Sequence, residues 1–249
     1  MIMSHWEDVL NQLELGTLRS ASETNGVWSA HPEVKQAILD AFKAGALADM
    51  DGFVDKHNLP PQRFSTAQGV RVVPGGTAIR RGAYVAKGVI VMPPSYINIG
   101  AYVDEGTMVD SHVLVGSCAQ IGKRVHLSAG VQIGGVLEPI GMTPVIIEDD
   151  AFIGAGSVVV EGIRVGKRAV VAPGVILSRG VPVYDAVNGR ILERGEAIPA
   201  GAVVVPGTRP VSADRTWAAE QGLSLACAII IKLRDEQSNA SLELEQTLR

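Results

Sequence analysis

A six-residue repeat runs through the middle of this chain and restricts its possible folds more than any other feature. From position 79 to 133, and again from 147 to 177, every sixth residue is aliphatic. The first run is Ile79, Val85, Val91, Ile97, Val103, Val109, Val115, Ile121, Leu127 and Ile133. The second run is Ile147, Ile153, Val159, Val165, Val171 and Leu177. A period of six fits neither a helical turn of 3.6 residues nor the two-residue alternation of a strand.

The repeat predicts a mainly β fold, a triangular parallel β-helix in which three hexads complete one coil. The aliphatic residue of each hexad points into the prism, and the small or β-branched residue four positions later fits a corner. Glycine, asparagine and aspartate recur just after the aliphatic residue, where the backbone turns. This pattern resembles hexapeptide-repeat proteins, and the resemblance implies a left-handed β-helix of about five to six coils.

Composition agrees with a repeat fold and excludes several functions. Glycine makes up 28 of 249 residues and aromatic residues only 4%, against about 7% glycine in ordinary proteins. A net charge of −4 gives no broad positive field for nucleic acid. Two cysteines cannot form a disulfide framework or a zinc site unaided, which favours the cytoplasm. We expect no membrane span and, with a polar, acidic N-terminus, no signal peptide.

Three domains are predicted from these patterns. Residues 1–65 form a helical N-terminal domain, and residues 66–180 form the β-helix domain. The loop 136–146 interrupts the repeat, and solenoids often carry their function on such insertions. Residues 181–249 form a short C-terminal β segment with a terminal helix, and Asn188-Gly189 within it is typical of a hairpin turn.

Local patterns assign secondary structure outside the prism. Apolar spacing predicts one helix from Trp6 to Leu15 and a second from Pro32 to Leu47. Two apolar runs, Ala202 to Val205 and Leu225 to Lys232, predict strands. Ser241 to Arg249 is expected to form the terminal helix.

Three segments of the prism resemble the tetrahydrodipicolinate N-succinyltransferase family. Tyr96 to Asp110 reads YINIGAYVDEGTMVD, Val115 to Ser128 reads VGSCAQIGKRVHLS, and Gly134 to Pro139 reads GGVLEP. The resemblance extends from about Gly69 to Lys232 and, more weakly, to Asn25-Gly26-Val27-Trp28. Such long segments are more specific than the hexads, which many acyltransferases share.

The resemblance implies a homotrimer with active sites between adjacent subunits. Each site would transfer a succinyl group from succinyl-CoA to the amino group of L-2-amino-6-oxopimelate, the open form of tetrahydrodipicolinate, in lysine and diaminopimelate biosynthesis. By the same resemblance Asp110 is the catalytic residue and Arg71 binds substrate. Gly134, Gly135 and Glu138 belong to the segment that closes over substrate.

One segment departs from the family pattern. Val158 stands where many members carry a glutamate, and Gly156 stands where an arginine is often found. A covalent acyl-anhydride route through position 158 is therefore impossible. Because Ile147 to Gly162 also resembles N-acetyltransferases acting on the same substrate, acetyl-CoA is an alternative donor, for lysine or for a specialised metabolite. A non-catalytic solenoid that serves as a binding module is the alternative from another class.

CoA has two candidate contact regions. Lys167 and Arg168 are a basic pair able to bind CoA phosphates, although exposed basic pairs are usually only solvated. The backbone amides near Ala155, Gly156 and Ala172 are candidates for a pantetheine groove, because small side chains let the thioester arm approach the coil.

Other polar residues have competing structural interpretations. Asp110 occupies a position where aspartate recurs for backbone reasons, and Arg71 could cap the first coil. His126 invites a general-base role, but in this segment a structural role is the alternative. Cys118 lies beside a small-residue corner and is interpreted as packing. His112 and His126 occupy different hexad positions, so we expect no metal to be required.

Overall fold

The computed structural model describes residues 5–234 and begins with a region of two helices and two hairpins. Its elements are α1 (His5–Glu14), β1 (Ala21–Thr24), β2 (Val27–Ala30), α2 (Pro32–Ala44), β3 (Leu47–Met50) and β4 (Phe53–Lys56). The two helices share an apolar core with the prism, to which Leu10, Ile38, Leu59, Ile99 and Cys118 contribute. A single 3-10 turn, Thr66–Gln68, leads into the prism.

The second helix ends three residues before the predicted boundary at Leu47. Gly45 ends it with extended backbone (φ −78°, ψ 137°), and glycine costs about 1 kcal/mol relative to alanine inside a helix. A Cβ at Gly45 would overlap Asn58 Oδ1, so the chain approaches its neighbour closely here. Leu47 begins β3 instead and is 71% exposed; its placement on the helix was wrong.

The two N-terminal hairpins were not predicted, although the sequence contains a signal for each. β1 and β2 pair antiparallel across Asn25-Gly26, and both turn residues have positive φ, 51° and 81°. β3 and β4 pair across Asp51-Gly52, with φ of 77° at the glycine. Asn-Gly and Asp-Gly are strong hairpin signals, so both turns were recognisable from the residues alone.

The hexads form a left-handed parallel β-helix with three faces, as predicted. Every third two-residue strand belongs to the same face. Face one contains β5 (Arg71–Val72), β8 (Ile90–Val91), β11 (Met108–Val109), β14 (His126–Leu127), β17 (Phe152–Ile153) and β20 (Val170–Val171). Face two contains β6 (Ala78–Ile79), β9 (Tyr96–Ile97), β12 (Leu114–Val115), β15 (Gln132–Ile133), β18 (Val158–Val159) and β21 (Ile176–Leu177). Face three contains β7 (Tyr84–Val85), β10 (Tyr102–Val103), β13 (Gln120–Ile121), β16 (Ile146–Ile147) and β19 (Arg164–Val165).

The strand register explains why the period is six. Neighbouring strands pair residues 18 apart, as Tyr102 with Gln120, so three hexads make one coil. Across the loop between β15 and β16 the offset grows to 26, as Gln120 with Ile146, because eight residues are inserted. The second residue of each strand points inward, and all of these aliphatic residues are buried except Val72 and Val85, which are partly buried.

Three-residue corners join the faces. The first corner, between faces one and two, comprises 110–112, 128–130, 154–156 and 172–174. The second corner, between faces two and three, comprises 98–100, 116–118, 134–136, 160–162 and 178–180. The third corner, between faces three and one, comprises 104–106, 122–124, 148–150 and 166–168. Many corners end in positive φ, on glycine or on residues such as His112, Cys118 and Arg168.

The C-terminal elements extend face one. β22 (Val183–Asp185), β23 (Arg190–Ile191), β24 (Ala202–Pro210), α3 (Thr216–Glu220) and β25 (Ser224–Leu233) follow the prism. β24 pairs with β20, and β25 pairs antiparallel with β24. The predicted turn at Asn188-Gly189 joins β22 to β23. The predicted terminal helix lies outside the described residues. Within residues 5–234 no helix is long and apolar enough to span a membrane.

Candidate active site

Asp110 lies at the first corner, directly after β11. Its Oδ1 accepts a hydrogen bond from the Ser111 backbone N–H at 2.7 Å, and its backbone carbonyl accepts one from Ser95 Oγ at 2.8 Å. The carboxylate is partly buried, and none of the described residues donates a hydrogen bond to Oδ2. One carboxylate oxygen is therefore held by the corner, and the other is available to a ligand.

Arg71 lies on face one, beside the corner that carries Asp110, toward the N-terminal end of the prism. It is the first residue of β5 and is exposed. Only β8 separates β5 from β11, so the two residues are about 10 Å apart along the prism axis, at about 4.8 Å per strand. A cation and a carboxylate at this separation suit a small substrate that carries both an amine and a carboxylate.

The insertion loop leaves the second corner through Gly134 and Gly135. A Cβ at Gly134 would lie 2.8 Å from Val160 Cγ1, and one at Gly135 would lie 2.7 Å from the Ser117 backbone nitrogen. Both glycines are thus required by close packing at the root of the loop. Glu138 is exposed at its tip, which leaves its carboxylate able to reach a ligand.

The first corner continues from Asp110 toward the C-terminal end as a row of small residues. Ala155, Gly156 and Ala172 line it, and a Cβ at Gly156 would meet no atom within 4 Å. However, the Gly156 N–H donates to Ala129 O and the Ala172 N–H donates to Val204 O. These two N–H groups hold the coils together, so at Gly156 and Ala172 the predicted groove would have to use neighbouring backbone groups or the small side chains. Among the described residues, none accepts from the Ala155 N–H.

Lys167 and Arg168 lie at the third corner, on the opposite side of face one. Both are exposed, and their backbone amides donate to Glu148 Oε2 and to Asp149 O. Within one chain, the structure does not bring these two cations to the corner that carries Ala155. The candidate residues therefore occupy all three corners of the prism.

Beside the third corner is a cleft of about 300 Å³ that the sequence analysis missed. Arg19, Trp28, Gln120 and Lys167 are among the residues that line it. Arg19 Nε donates to Gln120 Oε1 at 2.8 Å, and its guanidinium carbon lies 3.8 Å from the centroid of the Tyr102 ring. Burial lowers the pKa of the Arg19 guanidinium. Tyr102 and Gln120 could have indicated this cleft from the sequence. They occupy outward positions of face three, and their contacts with Arg19 show that the N-terminal region covers this face.

His126 and Cys118 are both buried. The His126 ring stacks on Phe152 with centroids 4.9 Å apart, and only 8% of the residue is exposed. Burial raises the pKa of the Cys118 thiol to about 11, so this side chain is a neutral thiol near pH 7 and a poor nucleophile.

Val158 begins β18, and its partly buried side chain points outward on face two. It follows Gly156 by two positions, so positions 156 and 158 supply neither a guanidinium nor a carboxylate. Within residues 5–234 there is no cluster of three or more His, Cys, Asp or Glu side chains that could hold a metal ion.

A prism of hexads whose corners carry an available carboxylate, an inserted loop and a row of small residues defines the class of hexapeptide-repeat acyltransferases. Residues 144–179 match the family model "Hexapeptide repeat of succinyl-transferase". The chain belongs to the 2,3,4,5-tetrahydropyridine-2,6-dicarboxylate N-succinyltransferase family, as two curated relatives show. It is 47% identical to the enzyme of that name from Ralstonia nicotianae, over 97% of this chain and 87% of the relative. It is 46% identical to that of Burkholderia mallei, over 96% and 86%.

A solved structure supports the fold. A crystal structure from Campylobacter jejuni, assigned to a 2,3,4,5-tetrahydropyridine-2-carboxylate N-succinyltransferase, superposes with a TM-score of 0.56 at 18% identity. The match covers 90% of this chain and 62% of that one. At this identity the likeness concerns the architecture alone.

Proposed function

We propose that this protein transfers a succinyl group from succinyl-CoA to the amino group of L-2-amino-6-oxopimelate, the open form of tetrahydrodipicolinate. The reaction belongs to lysine and diaminopimelate biosynthesis, and we place it in the cytoplasm. The observation that carries the proposal is the 47% identity over 97% of the chain. It is supported by the position of Asp110 between Arg71 and the row of small residues.

The chemistry follows from the order of these groups along the prism. Arg71, two strands from Asp110 on one side, would bind a substrate carboxylate. The Ala155 N–H, two strands away on the other side, would bind an amide of the pantetheine arm. Both are about 10 Å from Asp110 along the axis, too far to contact the reacting carbonyl, so their role is to position the two substrates around the carboxylate.

Asp110 would accept a proton from the substrate ammonium through Oδ2, while Oδ1 stays bound to the Ser111 N–H. The freed amine attacks the thioester carbonyl carbon and forms the new C–N bond. The tetrahedral intermediate then collapses with cleavage of the C–S bond, the nitrogen loses its second proton, and the leaving CoA thiolate takes up that proton, while Asp110 returns its own proton to solvent. Val158 cannot act as a nucleophile, so direct transfer without an acyl-enzyme fits this chain.

We further propose a homotrimer with active sites between adjacent subunits. Asp110, Glu138 and Lys167 lie at three different corners of one prism, and a single chain cannot bring them to one substrate. Neighbouring prisms placed side by side would oppose different corners. Glu138 of one copy could then complete the site around Asp110 of the next, with Lys167 and Arg168 near the CoA phosphates.

A second candidate is N-acetyl transfer from acetyl-CoA to the same or a related amino acid. The specific observation in its favour is the small, uncharged surface at Gly156 and Val158, which offers no cation to a succinyl carboxylate. The acetyl group carries no carboxylate, so its binding does not need a cation at this surface.

Thiol release from succinyl-CoA and acetyl-CoA, each with tetrahydrodipicolinate, would test the function. We expect kcat/KM to favour succinyl-CoA by more than about tenfold, or roughly 1.4 kcal/mol of transition-state discrimination. A preference for acetyl-CoA would establish the second candidate. No turnover with either donor, together with no binding of a CoA thioester, would favour the non-catalytic binding module.

A further inference from the structure

Lys35 is a fully buried lysine in the middle of the apolar side of α2. Its relative exposure is 0%, and its helix neighbours Val34 and Ile38 are also buried. Its ammonium donates a hydrogen bond to the backbone carbonyl of Met142, at 2.5 Å. Met142 belongs to the insertion loop, so this hydrogen bond joins the helix to the loop.

The same loop has a second attachment nearer its root. Val136 is 4% exposed, and its N–H donates to Ser117 O at 3.1 Å. Leu137 packs into the apolar core formed by the two N-terminal helices. Between the two attachments lies the exposed Glu138. The N-terminal region therefore holds the loop on both sides of the tip.

Burying an ammonium group is unfavourable unless something compensates. Among the described residues no carboxylate forms an ion pair with Lys35, and the nearby Cys118 is a neutral thiol. One hydrogen bond to a carbonyl offsets only part of the desolvation cost. A methionine would fill the same space without that cost, so the stability of the fold does not explain a lysine here.

We propose that Lys35 is a positioning residue, which fixes the insertion loop so that Glu138 is presented to the amine substrate. This inference rests on the proposed function, in which Glu138 belongs to the substrate segment. It assigns the N-terminal helices a role in substrate binding. Acyl-CoA, whose contacts lie at other corners, is unaffected.

The test compares Lys35→Met with Lys43→Met in the full-length protein. Lys43 lies on the same helix but is exposed, with its side chain at 75%. For Lys35→Met we expect KM for tetrahydrodipicolinate to rise about tenfold while KM for the acyl-CoA donor stays within about twofold. The melting temperature should not fall. Lys43→Met should match wild type, and a Lys35→Met variant that loses stability but keeps wild-type KM would overturn the proposal.

Hydrogen exchange gives a readout that does not depend on turnover. The Met142 N–H donates to Pro139 O at 3.0 Å and should exchange at least about fivefold faster in Lys35→Met, since the loop opens more easily. Leu137→Ala, which removes the other attachment, should give the same direction of change. Unchanged exchange in both variants contradicts the proposal. Faster exchange in an enzyme that lacks succinyl transfer would leave the anchoring correct and the proposed function wrong.

Discussion

The interior of the prism and the contact between the prism and the N-terminal helices are both buried, but they are built differently. The prism interior repeats one aliphatic residue per hexad, and each coil packs only on its neighbours. The contact has a small apolar core of its own and, beside it, irregular polar interactions. Ser20 donates to Gly100 O and Cys118 O, Gln120 donates to Ser20 Oγ, and Lys35 donates to the loop. We expect the repeated aliphatic residues to supply most of the free energy of unfolding. The individual hydrogen bonds fix how the N-terminal region and the insertion loop lie against the prism.

The largest effect should come from removing side-chain volume inside the prism. Ile121 is fully buried on face three, and Ile121→Ala should lower the free energy of unfolding by about 2–5 kcal/mol, through lost burial and the cavity left behind. Chemical denaturation measures this. Ile191→Ala, at a site that is 55% exposed, is the control and should cost under about 1 kcal/mol. Equal losses in the two variants would mean that the prism interior is not the main source of stability.

Asp110→Asn should do the reverse, reducing turnover without reducing stability. The amide keeps the hydrogen bond to the Ser111 N–H but cannot accept the substrate proton, so kcat should fall by about 10² or more. Asp104→Asn is the matched control, because Asp104 Oδ1 accepts from the next backbone N–H in the same way, at 2.8 Å. Near-normal turnover in Asp110→Asn, measured on protein of unchanged oligomeric size, would remove this carboxylate from the mechanism.

Alanine substitutions at two glycines test how tightly the prism packs against the N-terminal helices. Gly100 and Gly201 both have positive φ, 74° and 71°. A Cβ at Gly100 would lie 2.9 Å from Cys118 Sγ and Ile38 Cδ1, whereas at Gly201 nothing lies within 4 Å. Both alanine variants carry the backbone penalty. Gly100→Ala should cost about 1–3 kcal/mol more, because it overpacks the contact with the helices. Similar unfolding free energies would show that this contact is loose.

The smallest effect is expected at the surface of the third corner. Arg124 and Asp150 form a two-point ion pair, with Arg124 Nε 2.7 Å from Asp150 Oδ1, but both side chains are exposed. Arg124→Gln should reduce the unfolding free energy by under about 1 kcal/mol, and the difference should shrink in 1 M salt. A larger, salt-independent loss would mean that this corner is buried in an assembly.

The same contrast explains how far the sequence predicted the structure. Positions 79 to 177 were assignable because each hexad repeats one local geometry, so the period alone gives the inward residues and the loop. Leu47 was misplaced because apolar spacing continues past Gly45, where the helix ends and the chain closely approaches Asn58. The burial of Lys35 could not be predicted from its type, since lysine is normally exposed. The sequence could not show that the N–H groups of Gly156 and Ala172 are used in pairing between coils, because that pairing is a tertiary feature.

The fixed rise between coils sets the axial distance between groups on neighbouring coils of the prism. Arg71 lies on β5, whereas Asp110 and Ala155 lie at the corners that follow β11 and β17, and each of these strands is two strands from the next on face one. The spacing of groups along the axis can therefore change only in steps of about 4.8 Å, and only by gaining or losing 18 residues at a time. A smaller insertion must leave the prism as a loop at a corner, as the eight residues before β16 do. The distance between groups that bind a longer or shorter substrate therefore changes only in whole coils. A side-chain change such as Val158 alters the chemistry at one position without changing that distance.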